Sequence, residues 1–310
     1  MTFTKSLSVL GLALPLALAP LAQAFAADVS VETARGEATV AAKPKTVAVF
    51  DMAAMDTLDA LGVTPAGRPD KTYLKRLSHL QSATPVGTLF EPDLEALAGL
   101  NPDLIIVGGR SSTKYDEVAQ VAPTIDMTIG TDIVNESRAR LKAYGEIFGL
   151  QDKAKALDAA LETKLEKVQA DAKGQGDALV VMTNGPKISA FGPGSRFGWI
   201  HQAIGMAPAA KDLSVAPHGD AISFEFIAET NPEWIFVVDR GQAIGADEQK
   251  ASDTLDNPLV AQTSAAKEGH IVYLNASDAY IAGGGYQAMM EMLTEVDKAF
   301  EASSAKTSAN

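Results

Sequence analysis

Residues 231–240, NPEWIFVVDR, and residues 101–110, NPDLIIVGGR, set the architecture of this chain. The residues before them also match: LEALAGL over Leu94–Leu100 against FEFIAET over Phe224–Thr230. Asn231 minus Asn101, Glu225 minus Glu95 and Arg240 minus Arg110 each give 130. Each copy is a short helical pattern, an Asn-Pro punctuation, a buried-strand run and an Arg where the strand ends. Solenoid repeats recur every roughly 20–50 residues. A single echo at this distance predicts two similar lobes instead.

Working outward, short apolar runs alternate with helical patterns. Strands are expected over residues 45–50, 63–66, 84–86, 104–107 and 123–127, then 178–182, 188–191, 234–238 and 269–274. A helix over residues 221–229 belongs to the second copy. Such alternation means βα units and mainly parallel sheets. Residues 151–173 hold one continuous helical pattern, with Leu157, Leu161, Leu165 and Val168 on a single stripe. Its place between the two copies predicts a stiff connector from a lobe over residues 28–150 to a lobe over residues 174–300. Gly283, Gly284 and Gly285 read as a flexible turn before a last amphipathic helix, and residues 301–310 as a frayed tail. The fold class is α/β: two lobes with mainly parallel sheets, joined by one long helix.

With 310 residues there is room for two proper cores. Lys5, an apolar run over residues 7–21 and small residues at Ala22, Ala24 and Ala26 predict a cleaved signal peptide over residues 1–27. Pro15 and Pro20 interrupt the run, which is also short for a membrane span. The chain has no cysteine, which removes disulfides, thiolate metal sites, Cys nucleophiles and a lipid-bearing Cys. The mature protein is therefore expected free in a bacterial periplasm. A net charge of −13 argues against nucleic acid, which needs a basic face. It leaves room for a small anionic ligand if the Arg residues are gathered locally.

No G-x-S-x-G elbow, Walker A run or dinucleotide fingerprint is present, and His79, His201, His218 and His270 are scattered. Nothing proposes a reaction, so an exported α/β enzyme is the distant alternative. A binding site is better supported, because ligands of α/β sheets sit beyond the carboxyl ends of the strands. Arg110 and Arg240 stand there, one per lobe, and Arg196 follows the turn over residues 192–194. Guanidinium groups in a shared cleft suit an anionic, oxygen-rich ligand. His218 and Tyr280 fall in expected loops at the working edge of the second lobe. Phenolate and imidazole both suit iron, and two such side chains are too few for a bare ion but enough to complete a chelate.

Three runs carry a family resemblance: ISAFGPGSRFGWIHQAIGM (188–206), HGDAISFEFIAETNPEWIFVVDR (218–240) and LDNPLVAQTSAAKEGHIVYL (255–274). Together they resemble the periplasmic siderophore-binding proteins of iron ABC importers, above all the catecholate binders of the petrobactin and enterobactin-breakdown kind. The likeness extends over residues 47–300. It implies a class III periplasmic binding protein fold with the ligand in a shallow cleft. It also implies that Arg110, Arg196 and Arg240 line an anionic-ligand pocket and that His218 and Tyr280 reach iron through the bound siderophore. Ala279 departs from the aromatic residue common in that loop, and Tyr286 is near enough to compete with Tyr280 as the second iron ligand. Glu95 and Glu225, one per lobe, would dock on an inner-membrane ABC permease. The protein implied is a monomeric receptor with no permanently bound cofactor, whose ligand is a ferric siderophore. Another iron chelate, haem or a cobalamin in the same fold is the nearer alternative.

Overall fold

The computed structural model describes Thr2, residues 28–216 and residues 218–309. Apart from Thr2, the signal peptide expected over residues 1–27 lies outside the described residues. An antiparallel hairpin, β1 (Asp28–Thr33) with β2 (Gly36–Ala41), opens the fold. The first lobe then builds a sheet from β3 (Val47–Val49), β4 (Gly67–Arg68), β5 (Thr84–Pro85), β6 (Leu104–Val107) and β7 (Thr124–Asp126). Its order is β5-β4-β3-β6-β7, and every pairing is parallel.

The second lobe uses β8 (Asp177–Asn184), β9 (Lys187–Phe191), β10 (Ala207–Pro208), β11 (Asp220–Ile222), β12 (Trp234–Asp239) and β13 (Ile271–Tyr273). Their order is β11-β9-β8-β12-β13, with β10 also on β8. Pairings among β10, β8, β12 and β13 are parallel, whereas β8–β9 and β9–β11 are antiparallel. Residues 221–229, expected as one helix, divide: Asp220–Ile222 pair with β9, and the Ser223 side chain caps the helix Phe224–Thr230.

The repeat is exact in cap and register. Asp93 and Ser223 cap helices Leu94–Leu100 and Phe224–Thr230, and Asn101 and Asn231 end them in the left-handed region at φ 49° and 44°. Asn tolerates that conformation better than other side chains, which explains the Asn-Pro punctuation. The strands that follow are buried on both faces, as parallel strands between helix layers must be. Ile105 and Val107 face the outer cluster with Leu97, while Leu104 and Ile106 face the main core. Ile235 and Val237 face the equivalent outer cluster with Ile227, while Trp234, Phe236 and Val238 face the main core.

The chain crosses between the lobes in the helix Gln151–Ala172, which buries Ala154, Leu161 and Val168. Beside it lies the terminal helix Tyr286–Ala309, and Asp297 binds both Lys164 and Lys167 across the pair. The terminal helix starts on the first lobe: the Tyr286 amide donates to Thr57 Oγ1 at 3.1 Å and the Ala288 amide to Asp56 Oδ2 at 2.9 Å. It then runs onto the second lobe, where Phe300 meets Trp234 edge-on at 4.9 Å. Residues 301–309, expected as a frayed tail, continue this helix, as their Ala, Ser and Lys content permits. The Gly triplet is also not a slack turn. A Cβ on Gly285 would stand 2.5 Å from Asp56, so the glycine lets the backbone lie against the first lobe.

Candidate functional site

Arg110 follows β6 on the 3-10 turn Gly109–Lys114. Gly109 takes φ +51°, and its amide donates to Thr128 Oγ1 at 2.9 Å. Arg240 follows β12 as the first residue of the helix Arg240–Ile244. The buried Asp239 fixes that helix by accepting from the Gln242 amide at 2.9 Å and the Ala251 amide at 2.8 Å. Arg196 follows β9, flanked by two residues that point inward. Ser195 is fully buried and donates to the Gly192 carbonyl at 2.6 Å, and Phe197 packs edge-on to Phe191 at 4.8 Å. Arg196 between them is left facing the cleft.

All three arginines converge on Tyr280, whose ring centre lies 5.2, 4.4 and 5.8 Å from the guanidinium carbons of Arg110, Arg196 and Arg240. Arg110 and Arg196 donate to the Tyr280 carbonyl at 2.8 and 2.6 Å. Arg240 donates through Nε to the Tyr280 hydroxyl at 3.1 Å and through Nη1 to Asn184 Oδ1 at 2.8 Å. One arginine comes from the first lobe; the other two and Tyr280 belong to the second. Tyr280 ends the short helix Ala276–Tyr280, capped by the Asn275 side chain, where a loop was expected.

The electrostatics follow from this packing. Burial pushes the Tyr280 phenol up, but the Arg240 hydrogen bond and the charges of Arg196 and Arg240 outweigh it, and the net shift is downward. Burial, and then the positive charge of Arg110, lower the pKa of Arg196. Half-buried like charges held this close favour an incoming anion with oxygen acceptors.

Tyr286 does not share this group. It is 8% exposed and packs into the main core, and it borders a different groove with Tyr73 and Arg76. His218 is exposed, in a loop closed by Ser214, whose amide and hydroxyl donate to Asp220 at 2.5 and 2.6 Å. Leu213 and Val215 of that loop lie over Gly192 and Gly194, next to the Arg196 turn. Among the described residues, His218 makes no hydrogen bond to the arginines or to Tyr280. Glu95 and Glu225 are exposed second residues of the two repeat helices, one per lobe. The Ser223 hydroxyl holds Glu225 below the usual carboxylate range. Sequence reasoning missed Asn184, which accepts from Arg240, and Asp239, which caps the helix that Arg240 begins; the Asp-Arg pair in VVDR was the available signal for the cap, since Asp is a strong helix cap.

Among the described residues, no group of three or more His, Cys, Asp or Glu could hold a metal ion, and no helix is long and apolar enough to cross a membrane. Residues 47–277 match the periplasmic binding protein family. The petrobactin-binding protein YclQ of Bacillus subtilis (strain 168) is 40% identical over 264 residues, which cover 83% of each chain. Its crystal structure aligns at a TM-score of 0.84 and 36% identity, covering 89% of this chain and 99% of that one. The catecholate-siderophore binding protein VctP of Vibrio cholerae aligns at 0.84 and 30% identity, covering 88% of this chain and 100% of its own. The two lobes and their connecting helix are the class III fold, and the chain belongs to the periplasmic binding protein family.

Proposed function

We propose that this protein is a periplasmic receptor, not an enzyme, that binds a ferric catecholate-type siderophore and delivers it to an inner-membrane ABC permease. The observation that carries the reading is the convergence of Arg110, Arg196 and Arg240 on Tyr280. A ferric catecholate is an anion whose oxygens accept hydrogen bonds, and three guanidiniums supply the matching charge and donors. The relatives named as binders of petrobactin and of a catecholate siderophore support this ligand class.

In this reading the siderophore brings the iron, and the protein completes the coordination. The Tyr280 phenol, held below its ordinary pKa by Arg240 and Arg196, offers a hard oxygen donor to ferric iron. His218, exposed on its loop, is the second donor. Glu95 and Glu225 present one carboxylate per lobe to a two-fold permease. The receptor works as a monomer in the periplasm after removal of residues 1–27.

The test is a titration of the purified protein with ferric bis- and tris-catecholates, a ferric hydroxamate, haem and a cobalamin, read by Trp199 and Trp234 fluorescence. Trp199 lies three residues beyond Arg196 and is buried in the main core. Tight binding of the ferric catecholates, with much weaker binding of the rest, is expected. Preference for haem, a cobalamin or the hydroxamate would overturn the ligand class.

A further inference from the structure

The helix that carries Tyr280 has a second face. Ser277 and Asp278 border a groove of about 740 Å³, together with Tyr73, Arg76, Tyr286 and Gln287. Inside it stands an ionic triad that bridges the lobes. Arg76, on the 3-10 segment Lys75–Ser82 of the first lobe, reaches Asp278 Oδ1 of the second lobe through Nη1 at 2.6 Å. Its Nη2 and Nε reach Asp56 Oδ1 of the helix Met52–Leu61 at 2.5 and 2.6 Å. Asp56 and Asp278 are both fully buried, and Asp56 also accepts from the Ala288 amide.

From this arrangement we infer that Arg76 is a positioning residue for Tyr280. Cohesion alone does not call for it, because buried ion pairs stabilise no better than apolar packing of the same shape. What the planar fork adds is registry: it ties a short helix of one lobe to a helix of the other. Asp278 lies two residues before Tyr280, on a helix of only five residues. A shift at Asp278 therefore moves the Tyr280 carbonyl, which Arg110 and Arg196 grip, and the phenol that faces Arg240. The same first-lobe stretch makes another contact of this kind. Lys71 donates to the Ile244 carbonyl at 2.7 Å, at the end of the helix that begins with Arg240.

The role rests on the proposed siderophore function, and its experiment separates the two. Ferric bis-catecholate, which leaves iron positions for Tyr280, and ferric tris-catecholate, which leaves none, are titrated against wild type, Arg76→Gln and Asp278→Asn. Arg76→Gln is expected to weaken the bis-catecholate about tenfold while changing the tris-catecholate less than about threefold, as loss of an outer-sphere partner does. Adding Arg76→Gln to Tyr280→Phe is expected to cost nothing further with the bis-catecholate. Should Arg76→Gln fail to fold, Asp278→Asn keeps the side-chain shape and carries the same expectation. A merely structural Arg76 would lower thermal stability and leave the ratio of the two affinities unchanged. Equal losses for both probes, no loss, or additive losses with Tyr280→Phe would overturn the positioning role. Wild-type protein that binds neither probe would overturn the functional reading itself, and this role with it.

Discussion

The Arg196 guanidinium donates to the Tyr280 carbonyl at 2.6 Å, and its central carbon lies 4.4 Å from the centre of the Tyr280 ring. Two conserving forces hold it there, a hydrogen bond and a cation–π contact, while burial and Arg110 oppose its charge. A bound anion relieves that opposition. Arg196→Ala should therefore cost a charge-assisted interaction of about 1.5–3 kcal/mol, roughly tenfold to a hundredfold in Kd. Arg240→Ala should also raise the apparent pKa of Tyr280, measured by phenolate absorbance, because its hydrogen bond lowers that pKa.

Glu295 gives a pH dependence of opposite sign to the usual carboxylate. Burial first, and then the charges of Glu291 and Asp278, push its pKa from 4.5 to about 7. The folded state thus holds this proton more tightly than the unfolded chain. The resulting stability is fully present below about pH 4.5 and is lost as pH rises through about 7. Glu295→Gln should flatten this part of the profile and raise the melting temperature at pH 8. Thermal scans of both proteins across pH 4–8, an interval set by about those two pKa values, check it.

Glu95 and Glu225 lie exposed on the two repeat helices. Glu95→Ala and Glu225→Ala should leave ferric siderophore affinity unchanged. Uptake of the radiolabelled iron complex by cells carrying the double variant should fall at least about tenfold, as loss of paired charge contacts at an interface does.

The sequence was most legible where local chemistry and tertiary packing agree. The Asn-Pro punctuation after each helix, the wholly buried runs of β6 and β12 and the arginines that follow them were all readable in the 130-residue echo. The long connecting helix was readable from its stripe, since Leu161 and Val168 are buried where the pattern placed them. What stayed hidden was non-local. Nothing in the Gly triplet announces that Asp56, more than 200 residues away, will lie against it. Nothing near Arg76 announces Asp278. The Asp220–Ile222 strand was invisible because only its pairing with β9 makes it one. At the site, residue type and strand position pointed to the three arginines, and the family resemblance added Tyr280. That Tyr280 and not Tyr286 lies against the arginines is visible only in the structure.

The central claim is that Tyr280 completes the coordination of a chelated ferric ion held by the arginines. The most direct measurement is the visible absorption spectrum and Kd of wild type and Tyr280→Phe with ferric bis-catecholate and ferric tris-catecholate. Tyr280→Phe is expected to lose at least about tenfold in affinity for the bis-catecholate, with a change in the ligand-to-metal band, and under about threefold for the tris-catecholate. An unchanged band together with equal losses for both complexes would contradict direct coordination by Tyr280.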